Sequence, residues 1–204
     1  IDFPVNRAVV SGDTCAAEVM GELEKMLGSK LYPHYGSREC GLGGAVTCPA
    51  FEGMHLRENH IIAEIIDENG KVLPEGEFGE LVITTIGLEA MPLIRYRTGD
   101  YTRILPPCPC GGVTKRIDRV TREEGDLSIE KLDSAIFPVD GIVDYRVAYD
   151  RELRLELSCL AQPDRKALET IIKELYPQAK IQLSLRAFDY ADKPMYPGKR
   201  CILR

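Results

Sequence analysis

Four side chains form a metal-ligand set by residue type and spacing. Cys48 and His55 are separated by six residues, and Cys108 and Cys110 flank a single proline. Three thiolates and one imidazole are a normal closed complement for tetrahedral zinc, with no coordination position left open for chemistry. The expected role is to staple a loop to neighbouring strands. A Cys-x-Cys pair is geometrically tight, so two other readings stand beside this one: buried thiols next to a surface loop, or a Cys108–Cys110 redox pair. Cys40 could also replace one ligand.

Two further strings carry polar chemistry. In Tyr96-Arg-Thr-Gly-Asp100 an aspartate ends a tight glycine turn, where it can accept two hydrogen bonds from a vicinal diol such as a ribose. Taken alone, the string reads more simply as a turn before a strand at 101–105. His34-Tyr-Gly-Ser-Arg-Glu39 brings an aromatic ring, a glycine and a carboxylate to a strand end, where α/β folds bind ligands. Its ring could stack on a base, and Glu39 could hold a hard cation such as Mg²⁺. As an isolated loop it too reads more simply as structural.

The elements that would position these residues are legible in part. Residues 7–11 are a short apolar run ending in Ser11-Gly12-Asp13. Thr14 then caps a helical pattern to Leu27, which Gly28 stops. A second strand spans 30–35. Between 45 and 85 the apolar period falls to two, with strands at 60–67 and 80–85 and turns at Asn69-Gly70 and Glu75-Gly76, suggesting a small antiparallel sheet or barrel. A Pro/Cys/Gly cluster covers 106–112, and 116–126 is charged and reads as a connector. Ser128 caps a helix to Phe137, strands at 142–149 and 152–160 form a hairpin, a helix starts at Pro163 and runs to Leu175, and 180–188 is a last strand. The expected fold class is α/β followed by α+β.

The whole chain of 204 residues is 44% hydrophobic and 28% charged, an ordinary globular balance that excludes a disordered tail, a collagen-like repeat or a coiled coil. No apolar run reaches the roughly 18 residues of a membrane span. A net charge of −6 without a basic run gives no electrostatic reason to expect nucleic acid. The sequence begins at Ile1 and shows no signal peptide, so a cut or processed piece of a longer cytoplasmic chain is expected. Seven cysteines, an odd number, fit a reducing compartment better than a disulfide framework.

Taken in order, Ser-Gly-Asp13, Tyr-Gly-x-x-Glu39, Tyr-Arg-Thr-Gly-Asp100 and Gly198-Lys199 resemble the adenylate-forming superfamily of acyl-CoA synthetases, luciferases and peptide-synthetase adenylation domains. Glu89-Ala-Met-Pro-Leu-Ile-Arg-Tyr-Arg97 and Pro107-Cys-Pro-Cys-Gly111 are most similar to the phenylacetate–CoA ligase branch. The resemblance implies the end of an adenylation core over 1–117, comprising the α/β unit and a small antiparallel barrel. A C-terminal α+β lid would follow over 118–204, with a hinge near 121–126. It implies that Tyr35 and Gly36 pack on adenine, that Ser11, Gly12 and Asp13 border it, and that Asp100 takes the ribose hydroxyls. Arg122, with Arg116 as the weaker candidate, would touch ribose or phosphate. Glu39 would help to hold Mg²⁺, and Lys199 would bridge carboxylate and phosphate during adenylation. The implied substrates are ATP, CoA and a carboxylic acid, an aryl acid such as phenylacetate first; relatives of this kind are commonly homodimers. His34 would line the acyl pocket or pack structurally.

Three departures qualify the resemblance. Arg38 stands where relatives usually carry a threonine. The hinge string Thr121-Arg-Glu-Glu-Gly-Asp126 is shortened, leaving Glu124 or Asp126 as hinge residue. No Ser/Thr/Gly-rich phosphate loop occurs within the sequence, so the chain alone is expected to be inactive. Two alternatives follow: an adenylating enzyme with an acceptor other than CoA, or a non-catalytic, zinc-stabilised module of the same fold.

Overall fold

The computed structural model describes residues 4–12, 15–41, 43–90, 92–122, 127–189, 191 and 202. The chain divides into two compact units. One comprises Ile1–Thr14 with Glu24–Glu123, the other Cys15–Leu23 with Glu124–Arg204.

The first unit opens with two parallel strands, β1 (Ala8–Val10) and β2 (Leu31–Tyr35), in the register Ala8↔Leu31 to Val10↔Pro33. Parallel neighbours need a crossover, and the intervening chain carries the helix α1 (Ala17–Leu27). Glu24, near the end of α1, accepts hydrogen bonds from the Leu31 amide (2.9 Å) and Lys30 Nζ (2.6 Å), which fastens the start of β2. The proposed cap Thr14 lies outside the described residues.

Four short strands extend this sheet: β3 (Ala45–Thr47), β4 (Met54–Leu56), β8 (Ile104–Leu105) and β9 (Arg116–Ile117). The sheet order is β1-β2-β3-β4-β9-β8. A second sheet is the antiparallel meander β5 (Ile61–Ile66), β6 (Gly79–Thr85) and β7 (Tyr96–Thr102). One apolar core joins the two: Tyr35, Ala45, Met54, Leu56, Ile104 and Ile117 from the first meet Ile61, Ile65, Leu81 and Ile83 from the second. The expected small barrel is thus a pair of open sheets packed face to face; among the described residues no sheet closes on itself. The stretch expected as a connector begins with β9. Two residues are too few to show a period, yet Ile117 is fully buried and pairs with both Met54 and Ile104.

The second unit is an α+β sandwich. Helix α2 (Ile129–Ile136) precedes strands β10 (Ile142–Tyr149) and β11 (Leu153–Cys159), then helix α3 (Arg165–Leu175) and strand β12 (Ile181–Ala187). β10 and β11 pair antiparallel and β11 and β12 parallel. Tyr145, Val147, Leu153, Leu155 and Leu157 form a core with Leu132 and Ile136 of α2 and Leu168 and Ile172 of α3. Fully burying each Leu or Ile is worth about 1.5–3 kcal/mol, and those residues recur every second position on the strands and every three or four on the helices. Ser128 caps α2 as expected, accepting from Lys131 N. α3 starts two residues later than Pro163, because Asp164 accepts from the Lys166 and Ala167 amides and is the cap. α/β followed by α+β is therefore the observed architecture.

Candidate functional site

The C-terminal ends of β1 and β2 lie side by side, so the loops that follow them meet. Ser11 Oγ and His34 Nδ1 are 2.9 Å apart, and Gly12 beside them is exposed. The imidazole of His34 lies against the backbone of Gly36 and Gly43: a Cβ on Gly43 would sit 2.3 Å from Nε2. Gly43 also has φ +116°, a conformation that L side chains rarely adopt, so glycine is required there twice over. Gly44 lies against both the ring of Tyr35 and Cys40 Sγ. Cys40 is buried beneath this loop, with its Sγ 3.5 Å from Ser37 Oγ, and takes no part in the metal-ligand cluster. Arg38 is exposed and Glu39 half-buried. Asp13 lies outside the described residues.

Tyr35 reaches from β2 to β7. Its hydroxyl donates to Asp100 Oδ2 at 2.8 Å, and Arg122 Nε donates to Asp100 Oδ1 at 3.2 Å. Burial pushes the Tyr35 phenol well above its ordinary pKa, and the Asp100 charge and hydrogen bond push it further, so it remains a donor at any physiological pH. Asp100 is itself only 8% exposed. Each carboxylate oxygen offers two lone-pair sites, so after Tyr35 and Arg122 the group can still accept from two hydroxyls. The Arg122 side chain is 61% exposed, which leaves donors for an anion.

The string Thr98-Gly99-Asp100 is a bulge inside β7, not a turn ahead of a strand. Glu80 pairs with Tyr101 and Val82 with Arg97, so Leu81 alone stands opposite three residues. Gly99 takes φ +71°, Thr98 Oγ1 donates to Leu81 O (2.7 Å), and the Asp100 amide donates back to Thr98 Oγ1 (3.1 Å). Glu80, which the residue patterns did not single out, accepts from the Gly99 amide and from Arg97. The available signal was a glutamate set directly before the apolar run Leu81-Val82-Ile83.

The predicted metal ligands converge. One ligand atom each from Cys48, His55, Cys108 and Cys110 lies within 4.8 Å of the others. Cys48 Sγ and Cys108 Sγ are 3.6 Å apart, too far for a disulfide and close to the roughly 3.8 Å between sulfurs on one tetrahedral zinc. His55 Nε2 faces Cys110 Sγ at 3.4 Å, while Nδ1 faces Thr114 O and Oγ1 at 3.2 and 3.0 Å. That outer contact fixes the imidazole in the orientation a ligand needs, and spacing did not reveal Thr114. The Cys110 backbone N–H, followed by His55, Cys110 and Cys48 side-chain contacts, holds the Cys108 thiol down at about 6. Cys110 is raised on balance: the Gly112 amide lowers it, but Cys108, burial and Cys48 outweigh that.

Arg116 serves this cluster and not the Asp100 site. Buried in β9, it donates to Pro106 O (2.7 Å), to Glu52 O and to Pro107 O (3.5 Å), the backbones of the two segments that carry the four ligands. The weaker of the two arginine expectations is thereby corrected: a guanidinium spent on three carbonyls has no face for a nucleotide. Glu124, Asp126 and Lys199 lie outside the described residues. No described helix is long and apolar enough to cross a membrane.

Comparison with known proteins follows the same lines. No family model matches the chain. Over 131 residues it is 35% identical to the phenylacetate–coenzyme A ligase of Pseudomonas putida, covering 63% of this chain and 29% of that protein. Over 98 residues it is 46% identical to the phenylacetate–coenzyme A ligase of Aromatoleum evansii, covering 47% of this chain and 22% of that protein. The match thus spans less than a third of these relatives' length. Among solved structures, a 2-hydroxyisobutyryl-CoA ligase in the postadenylation state, bound to R3-HIB-AMP, superposes with a TM-score of 0.79 at 20% identity. It covers 98% of this chain and 48% of its own. A benzoate CoA ligase from Burkholderia xenovorans LB400 follows at 0.63 and 14%, covering 93% and 43%. In sequence the chain is similar to part of the phenylacetate–CoA ligases, and in fold it matches about half of solved CoA ligases.

Proposed function

We propose that the chain is the C-terminal portion of an ATP-dependent carboxylate–CoA ligase acting on an aryl acid such as phenylacetate. The observation that carries this reading is the Tyr35–Asp100–Arg122 cluster, which offers a diol acceptor and an exposed cation beside an aromatic ring. In the reaction, a carboxylate oxygen of the acid attacks the α-phosphorus of ATP and the bond to the β-phosphate oxygen breaks, releasing pyrophosphate. The sulfur of CoA then attacks the acyl carbon and AMP leaves. Activation is needed because a carboxylate is a poor electrophile with no usable leaving group.

In this reading Tyr35 and Gly36 pack against adenine, Ser11, Gly12 and Asp13 border it, Asp100 accepts from the ribose hydroxyls, and Arg122 contacts ribose or phosphate. Such groups, set before the reaction begins, stabilise charge without reorganising. Lys199 supplies a positive charge between the two anions that must approach each other. Glu39 is the carboxylate that would hold Mg²⁺ together with the nucleotide phosphates, a normal donor set for that ion, which screens phosphate charge when bound. Cys48, His55, Cys108 and Cys110 hold a structural zinc, whose four protein ligands leave it no catalytic position. The cytoplasm, where ATP, CoA and reduced thiols coexist, is the compartment this reading takes.

Pyrophosphate exchange in the enzyme that carries this chain tests the proposal. Exchange dependent on an aryl acid, lost in Asp100→Ala and Lys199→Ala, and a CoA thioester detected by mass spectrometry only when CoA is added, are the expected results. A thioester-free product despite CoA would point to another acceptor. The 204-residue chain alone should give no exchange, and robust exchange would overturn that part.

A further inference from the structure

Glu80 is a carboxylate only 6% exposed. Its two oxygens are divided between two jobs. Oε1 accepts the Gly99 amide at 3.1 Å, and Oε2 accepts Arg97 Nε at 2.7 Å together with a second guanidinium nitrogen of the same arginine. Arg97 and Gly99 flank Thr98, and Asp100 follows, so Glu80 holds both sides of the bulge that aims Asp100. The bulge has lost ladder partners, which makes its backbone conformation a matter of side-chain hydrogen bonds. Thr98 supplies one set and Glu80 the other. Gly99 is exposed and left-handed, and Glu80 ties its amide to β6 where water would otherwise take it.

We propose that Glu80 is a positioning residue for nucleotide recognition: through Gly99 and Arg97 it fixes the bulge that presents Asp100 to ribose hydroxyls. The inference rests on the nucleotide reading above, and its test separates the two. Glu80 touches no ligand; it acts on the ribose contact alone, leaving adenine and phosphate contacts untouched.

The test uses the enzyme that carries this chain, with AMP and 2′,3′-dideoxy-AMP as probes and affinity read by calorimetry. Glu80→Ala and Asp100→Ala should each weaken AMP about tenfold, the worth of one or two hydrogen bonds, and leave dideoxy-AMP unchanged. Glu80→Gln, which keeps an acceptor for Gly99 but loses the charge facing Arg97, should fall between and serves if the alanine variant does not fold. Without nucleotide, the Gly99 amide should exchange with solvent at least tenfold faster in Glu80→Ala. If Asp100→Ala discriminates the two nucleotides and the Glu80 variants do not, the positioning role is wrong while the nucleotide reading stands. If the Glu80 variants weaken both nucleotides equally, the role is general stability and the proposal falls. If Asp100→Ala discriminates nothing, or AMP does not bind, the nucleotide reading fails. Gly99 exchange then decides the clamp alone, and unchanged exchange removes it as well.

Discussion

The Tyr35 hydroxyl donates a 2.8 Å hydrogen bond to Asp100 Oδ2, so a residue at the end of β2 in one sheet is joined to a residue in β7 of the other, 65 positions away in sequence. The bond has two consequences. It orients the Asp100 carboxylate, and it holds the tyrosine ring against Gly44 with its phenol protonated.

Tyr35→Phe keeps the ring and removes the bond. It should lower stability by about 1 kcal/mol, since Asp100 retains Arg122 and gains access to water. AMP affinity should fall several-fold in the same variant, measured by titration, while thermal unfolding reports the stability loss. No change in either would mean that the bond does not order Asp100.

Gly43 faces His34 too closely for any side chain. Gly43→Ala should destabilise by about 1–3 kcal/mol, because a Cβ at 2.3 Å from Nε2 must displace the imidazole and the residue must hold φ +116°. His34→Ala in the same chain should recover the steric part and leave the backbone part. Full additivity of the two substitutions in denaturant unfolding would show that the contact carries no strain.

Metal analysis of the purified chain should find one zinc per chain, and Cys108→Ser should remove it. A chelator should lower the unfolding temperature and release the metal. Acidification should do the same, since protons compete for the three thiolates and the imidazole. Cys40→Ser should leave zinc content unchanged, because Cys40 lies apart from the cluster.

Arg116→Met should cost about 1–3 kcal/mol, because the buried guanidinium that ties three carbonyls together would be lost, while those carbonyls, on exposed residues, can turn to water. Zinc affinity should fall with it while AMP affinity remains. Loss of AMP affinity with zinc retained would return Arg116 to the nucleotide side.

The Cys48–His55–Cys108–Cys110 cluster and the Asp100 site were readable to different depths. Cys48, His55, Cys108 and Cys110 announce themselves because few other chemistries need three thiols and an imidazole at such spacing. Thr114 and Arg116 were hidden, since a hydroxyl and a guanidinium are common surface groups until the fold buries or aims them. Arg122 was placed by its position in a resemblance, and its bond to Asp100 gives that position a physical partner.

What the sequence determined by itself is the local layer: helices α2 and α3 from their 3.6-residue apolar period, β5, β6, β10, β11 and β12 from alternation, Ser128 as a cap, and the residue types of both sites. Those features depend on neighbours a few positions away, and a linear pattern records them. Tertiary structure alone decided that two open sheets stack where a barrel was expected. It also turned Thr98-Gly99-Asp100 into a bulge, made a strand of Arg116-Ile117, and gave Glu80 the task of holding Asp100 in place. Each of those outcomes rests on a partner far away in sequence, and the energy of pairing or burying a group is set by that partner, not by the residues beside it.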